Sequence, residues 1–392
     1  LWTNDQTLSI PRSPLELLED LRILAQAWRD LLFASGGDLE LKKCFFYILY
    51  WYWDNGYARP LVPEEFNPLY IHDAYGNKTA IVHKHVNEFH RTLGLRCNPL
   101  CQPDGEFNFL KDKSDRYATL THSSVFSRTE TDTAYWTTYL PSVGYSAGAT
   151  TFTAKACSTL EKKAIRAFLQ HSGYPGNFTR AMTFGPQAYG GKGFRQFYVE
   201  QGLEKIMKVI AHVRQDSELG KQIRILVDST QLRVGSATPI LSMKPNPFLY
   251  CADDAPWLYS LWIFLTAHAG TITDSDSLLP RAQREHDCAF MDALVLICNS
   301  RATLERFNQV RIYLQVFWIS DITDGSGRYI RRAFFDDPPT DIRSPRSRLH
   351  WPRQGRPGPK AFATWRSMLR KVFILPGSKL LALKPIHRLG RW

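Results

Sequence analysis

Two pairs of adjacent aspartates come nearest, in type and spacing, to a metal-holding site in this 392-residue chain: Asp253-Asp254, after Cys251-Ala252, and Asp336-Asp337, after Phe334-Phe335. Paired carboxylates can hold two divalent ions that stabilise the attacking and leaving oxygens of a phosphoryl transfer. Neither pair suits that task. Pro338-Pro339 follow the second pair directly and cannot donate to a return strand. The first has no aromatic residue ahead of it and sits beside Pro256, after a proline-rich loop. Both read as solvated turns, because carboxylates are common in loops and rarely buried. His72, His83, His85, His90, Cys97 and Cys101 invite a zinc reading, but Cys97-x-x-x-Cys101 encloses Pro99 and no second Cys/His pair stands at finger or knuckle spacing. No metal is assigned to them. Gly190-Gly191-Lys192-Gly193 lacks the Lys-Ser/Thr step and the preceding strand of a phosphate loop, so it reads as close backbone packing. No Ser/His/Asp or Cys/His nucleophile set is visible.

The elements that would position such residues begin with a helix. Leu15, Leu18, Leu21, Ile23, Leu24, Ala27, Trp28 and Leu31 recur at three- and four-residue spacing among charged residues, which predicts one buried face. Ser13 can cap this helix, with Pro14 at its first position and Glu16 completing a capping box, and Gly36-Gly37 can end it. The aromatic run 45–53 is β-prone, so the helix is expected to return onto a sheet with Trp28, Phe46 and Tyr50 packed together. The sheet is expected to start at Leu39 and to continue through 69–73, a turn at 74–77 and a return strand at 79–82. Helices are predicted over 114–129, 131–140, 159–171, 199–214, 257–268, 284–298, 301–317 and 362–373. From Asp336 to Lys360 the Pro, Arg, Ser and Gly content predicts an extended arm.

With 44% hydrophobic and 13% aromatic residues, the chain can form packed cores in two or three domains. No run approaches the length of apolar residues that a membrane span needs, and no secretory signal is evident. Seven cysteines, an odd number without regular spacing, suit free thiols in a reducing, intracellular compartment. Leu1 is not an initiator methionine, and the chain reads as a piece of a longer polypeptide. Its net charge of +12 is uneven: residues 328–392 hold sixteen Lys or Arg against Asp336, Asp337 and Asp341, a net of +13, which leaves 33 basic and 34 acidic groups in the rest. Arginines interleaved with tryptophans have the composition of a nucleic-acid arm, cations neutralising phosphates and indoles offering a stacking face. Arg346, Arg348, Trp351, Arg353, Arg356, Trp365 and Arg366 are the candidates. A solubilising tail or an import patch would carry the same charge.

The order of these features resembles the part of a retroelement, non-LTR-like reverse transcriptase that follows its active-site aspartates. There, a helix, a lysine-bearing strand, a Leu-Gly hairpin and a helical thumb succeed one another. Pro14 to Phe33, Lys42-Lys43-Cys44, Leu93-Gly94 and the glycine-rich segment Gly185 to Ile206 stand in that order here. The resemblance implies an α+β fold: a small antiparallel palm-like sheet with an N-terminal helix, a mostly helical thumb and C-terminal region, and a basic extended tail. It implies divisions at 1–104, 105–220, 221–330 and 331–392. It places Lys43 as the acid on the pyrophosphate leaving group, and Lys42, Arg91, Gly94 and Arg96 at the nucleic acid. The implied partners are an RNA/DNA template-primer and the upstream palm and fingers, without a membrane. Magnesium is expected for the parent polymerase and no cofactor for this chain, which without its aspartates is expected to be inactive alone. The rival reading is a non-enzymatic nucleic-acid-binding or scaffold protein derived from such an element.

Overall fold

The computed structural model describes residues 13–54, 57–60, 68–251, 255–273, 281–336, 351 and 355–391. The fold is α+β, and the chain divides into two compact units, Leu1–Asp112 and Lys113–Trp392.

The first unit opens with α1 (Pro14–Ala34). Its start is the capping box read from the sequence: the Glu16 amide donates to Ser13 Oγ at 3.3 Å and the Ser13 amide to Glu16 Oε2 at 2.8 Å. Its end is a Schellman turn, with the Gly36 amide on the Phe33 carbonyl, the Gly37 amide on the Leu32 carbonyl, and Gly36 at φ +86°, where glycine escapes the Cβ penalty. A 3-10 turn at Leu41–Lys43 follows, then β1 (Phe45–Phe46), β2 (Trp51–Asp54), β3 (Tyr57–Pro60), β4 (Leu69–His72), β5 (Lys78–His83), β6 (His90–Thr92) and β7 (Leu95–Cys97). The expected lysine-bearing strand is therefore a helical turn, and the aromatic run contributes two short strands rather than one. β4 and β5 form the predicted antiparallel hairpin, and β1 adds to β5 in parallel. β6 and β7 pair around Leu93-Gly94.

The helix docks differently from its expected register. Leu18, Leu21 and Ala25 pack on the core of Leu41, Phe46, Ile48, Leu69, Ile71 and Ile81, which Tyr50 also joins. Trp28 does not; it is 48% exposed. The helix carries two apolar stripes, and hydrogen bonding selects one of them. The His72 amide donates to Gln26 Oε1 at 2.9 Å, and Gln26 Nε2 donates to the His72 carbonyl at 3.3 Å. Holding Gln26 against the end of β4 turns Trp28 outward.

The remaining helices are α2 (Asp104–Ser123), α3 (Arg128–Ala134), α4 (Leu140–Gly144), α5 (Ala154–His171), α6 (Arg180–Phe184), α7 (Phe197–Arg214), α8 (Glu218–Val234), α9 (Pro256–Ala267), α10 (Phe290–Val295), α11 (Arg301–Tyr313) and α12 (Pro359–Val372). Between α3 and α4 the chain widens into a π turn at Tyr135–Tyr139. Pro141 lies just beyond it, lacking the amide that would continue the regular ladder. The predicted helix at 284–298 shrinks to α10 because its first half is claimed elsewhere: Arg284 Nε donates to the Gly390 carbonyl at 3.0 Å, and the Phe290 amide to the Phe317 carbonyl at 3.2 Å.

One apolar core in the second unit runs from Val209 to Leu383 and includes Phe290, Phe307, Trp365, Leu369 and Phe373, so it crosses the divisions expected near 220 and 330. The extended tail is corrected only in part, since the short helix expected within it at 362–373 is α12. Residues 355–391 are a folded layer, with α12 packed on α11 and Ile374 bridged to Leu383. The arm predicted at 337–350 and 352–354 lies outside the described residues.

Candidate nucleic-acid interface

Cations outnumber every other chemistry-bearing group on the C-terminal layer: nine Lys or Arg and no Asp or Glu lie between residues 355 and 391. Alternation explains how so basic a segment folds. In α12, Ala361, Phe362, Trp365, Met368, Leu369 and Val372 are buried, while Lys360, Arg370 and Lys371 are exposed. Two of these cations bond uncharged backbone carbonyls, Arg366 Nη1 donating to that of Asp336 at 2.7 Å and Lys384 Nζ to that of Lys371 at 2.6 Å, and Arg332 Nη2 reaches the layer through the Lys379 carbonyl at 3.4 Å. Such bonds place the cations without neutralising them.

Part of this layer is concave. A cavity of about 430 Å³ is lined by Arg332, Asp336, Arg370 and Lys379, with Phe335, Ile374 and Leu381 among its apolar walls. Its rim is a tight turn in which the Ser378 amide donates to the Leu375 carbonyl at 3.1 Å and Gly377 takes φ +75°. Pro376 and Gly377 occupy the two central positions of a type II turn, where a left-handed residue is required. Lys379 follows at once. The Arg370 guanidinium lies 5.1 Å from the Phe335 ring centre, which fixes its stem.

The residues singled out from the sequence fare unevenly. Lys42 and Lys43 are exposed on the 3-10 turn. Arg91 is exposed on β6, and Gly94 takes φ +91° beside Leu93 at φ +49°. These two consecutive left-handed residues make the two-residue hairpin turn. Arg96 is a correction. Its guanidinium lies 3.3 Å from the Phe109 ring centre while its amide donates to Glu106 Oε2 at 2.8 Å, so the side chain anchors the hairpin to α2 instead of pointing at a ligand. Trp365 is a second correction, because a fully buried indole has no face to offer a base: it is 0% exposed and its Nε1 donates to the Phe334 carbonyl at 2.8 Å. Trp351 is half-buried with the Arg311 guanidinium 5.6 Å from its ring centre, and Arg356 lies 5.6 Å from the Phe362 ring. Arg366 is held by the Asp336 carbonyl as above. Arg346, Arg348 and Arg353 lie outside the described residues. Sequence reasoning missed Arg332, Arg370 and Lys379 as a group. The Pro376-Gly377 turn was the only local signal, and the cavity brings together two stretches of chain, 332–336 and 370–381.

Among the described residues no carboxylate set for two metal ions is assembled. Asp336 is exposed after a 3-10 turn, its amide on the Arg332 carbonyl at 2.9 Å, and Asp253, Asp254 and Asp337 lie outside the described residues. Among the described residues no three His, Cys, Asp or Glu side chains gather as metal ligands. The glycine-rich segment is close backbone packing, as read: the Gly193 amide donates to the Gly185 carbonyl at 2.9 Å, and a Cβ on Gly191 would meet that carbonyl oxygen at 2.2 Å. Lys192 then reaches Asp132 Oδ2 at 2.6 Å.

A second group of polar side chains is buried where α5, α7 and α9 meet. Lys205, 1% exposed, bonds Ser260 Oγ and lies 5.7 Å from the Trp257 ring centre. Burial takes its amine from an ordinary 10.5 down to about 7, with Cys157 acting weakly against the change. Burial likewise lifts Glu161 to about 7, opposed by the Phe197 amide, which donates to it at 2.8 Å, and by Arg180. Between pH 7 and 10.5 the unfolded chain binds the Lys205 proton more tightly than the fold does, so the Lys205 contribution to stability rises with pH across that window and is lost as pH falls through 7. Lys205→Met is therefore expected to be more stable than the parent at pH 7, by about 1–4 kcal/mol, and to lose that rise. Urea titrations at pH 7, 8 and 9 check it, and an unchanged pH slope would refute the assignment.

No family model matches this sequence, and neither a curated protein nor a solved structure does. No helix among the described residues is long and apolar enough to cross a membrane.

Proposed function

We propose that this chain is the portion of a retroelement RNA-directed DNA polymerase that follows the catalytic aspartates, and that its C-terminal layer holds the phosphates of a template-primer without reading bases. The observation that carries the proposal is the set of nine cations without a carboxylate between residues 355 and 391, displayed on a packed scaffold. Positive charge on a fixed surface neutralises phosphates and releases their counterions, a sequence-independent mode of binding. The order of helix, Leu93-Gly94 hairpin and helical region supports the polymerase part. No catalytic step is assigned to Lys43, because among the described residues no group of carboxylates is gathered to hold metal ions.

The test keeps the chain whole, because the C-terminal layer is also core. Lys360, Lys371 and Arg388 are exposed and lie outside the cavity. Replacing all three by Gln is expected to weaken binding to single-stranded and hybrid oligonucleotides equally across sequences. It should also reduce the log–log salt slope by about 0.7 for each single-strand phosphate that is no longer neutralised. Filter binding at several salt concentrations measures both. An unchanged slope, or a parent chain that binds neither oligonucleotide, would overturn the proposal.

A further inference from the structure

We infer that the cavity formed by Arg332, Arg370 and Lys379 is a site for a terminal phosphomonoester, the 5′-phosphate end of a nucleic-acid strand. The inference rests on the nucleic-acid reading of the surrounding layer and adds to it a ligand and a place.

Charge is the first argument. Among the described residues, three cations against the single carboxylate of Asp336 leave the cavity lining at +2. A phosphomonoester carries about −1.5 to −2 at neutral pH, whereas an internal phosphodiester carries one negative charge. Guanidinium forks and an ammonium are the donors that bind such oxygens best, Arg in pairs of parallel bonds and Lys as a point charge. Shape is the second. A volume of about 430 Å³ falls in the range of small-molecule pockets, leaving room beyond the phosphate. Phe335, Ile374 and Leu381 supply apolar wall there, suited to a sugar and not to a second phosphate. An internal phosphodiester is flanked on both sides by further charged linkages, which an open surface accommodates and a recess does not. Preorganisation is the third argument. Arg370 is steadied over Phe335, the Arg332 guanidinium donates to the Lys379 carbonyl, and the Pro376-Gly377 turn sets the path of the chain into Lys379. Arg370 and Arg332 therefore have less side-chain freedom to lose on binding, while Lys379 is placed through its backbone.

The experiment uses the full chain and two oligonucleotides of one sequence, labelled at the 3′ end, one with a 5′-phosphate and one with a 5′-hydroxyl. Fluorescence polarisation is expected to show the 5′-phosphorylated strand bound about fivefold more tightly, the advantage of one added charge-assisted contact. Millimolar inorganic phosphate should abolish that advantage while leaving the 5′-hydroxyl strand bound. Lys379→Gln and Arg332→Gln both change exposed residues, and thermal melting checks that each variant folds. Each should bring the ratio to one. A ratio of one in the parent overturns the site, and a ratio that survives both substitutions overturns its location. Ribose 5-phosphate binding as tightly as the phosphorylated strand would overturn the strand-end assignment in favour of a small phosphomonoester. Should inorganic phosphate bind while neither strand does, the proposed function fails and the cavity stands as an anion site only.

Discussion

Arg311→Met is expected to destabilise the second unit by at least about 4 kcal/mol, since it strands several buried acceptors that each cost about 1–3 kcal/mol when unsatisfied. Arg311 is 0% exposed. Its Nε donates to Asn308 Oδ1 at 2.7 Å, Nη1 to the Val316 carbonyl at 3.2 Å, and Nη2 to the Arg233 carbonyl at 3.0 Å and to that of Leu232. The last two are end carbonyls of α8, which have no partner within the helix; that of Arg233 also takes Asn308 Nδ2 at 2.7 Å, so the acceptors stranded are Asn308 Oδ1 and the Val316 and Leu232 carbonyls. A cation there also meets the negative end of the helix dipole. Gly235 ends α8 at φ +74°, and a Cβ on it would stand 2.6 Å from Arg311 Cζ, so the helix stop and the guanidinium share one space. Burial lowers Arg311 to about 10 from an ordinary 12.5, which still leaves it charged at neutral pH. Arg311→Lys keeps the charge but loses the planar fork and is expected to recover only part of the loss. Urea unfolding of the parent and both variants decides the matter; a Met variant within about 1 kcal/mol of the parent would show that water or repacking satisfies those carbonyls.

Trp365→Ala is expected to cost about 3–5 kcal/mol, the usual penalty for emptying a buried aromatic site. The indole lies 4.4 Å from the Phe307 ring centre and 5.5 Å from that of Phe290, and its Nε1–H holds the Phe334 carbonyl. Trp365→Phe keeps most of the packing and leaves that carbonyl unpaired, so an intermediate loss is expected. A shared consequence concerns the C-terminal layer. Truncation from residue 343 would remove α12 along with the cations and unfold the core, so charge must be tested by exposed substitutions. If Trp365→Ala melted with the parent, α12 would be a detachable arm and truncation a fair experiment.

Local chemistry was legible wherever a few neighbouring residues close their own hydrogen bonds. Ser13, Pro14, Glu16 and Gly36-Gly37 set both ends of α1 within single turns of chain. The β4–β5 hairpin around residues 74–77 was equally readable, because Asp73 Oδ1 takes the Tyr75 and Asn77 amides, each at 2.8 Å. The glycine-rich segment was readable as packing because Gly185 and Gly191 must approach more closely than a Cβ permits. By contrast, α8 was not predicted at all. Its far end is completed by Arg311, 79 residues from Leu232, and its own sequence does not show that partner.

What the sequence alone determined is therefore both ends of α1, most helix positions, the β4–β5 hairpin and the concentration of positive charge after residue 327. Each follows from propensity, capping, turn chemistry and residue counts, which depend only on neighbours along the chain, whereas the hairpin at Leu93-Gly94 was expected only from the resemblance. Tertiary structure decided which apolar stripe of α1 is buried, because Gln26 bonds the His72 backbone and swings Trp28 to solvent. It decided that Arg96 and Trp365 face inward, since one has Phe109 and the other Phe334, Phe307 and Phe290 to meet. It also turned a basic tail into a folded layer and gathered Arg332, Arg370 and Lys379 around one cavity. Burial of an aromatic residue and convergence of cations depend on partners brought together only when the chain folds, and an apolar or charged residue read in sequence does not reveal which of two available faces will find them.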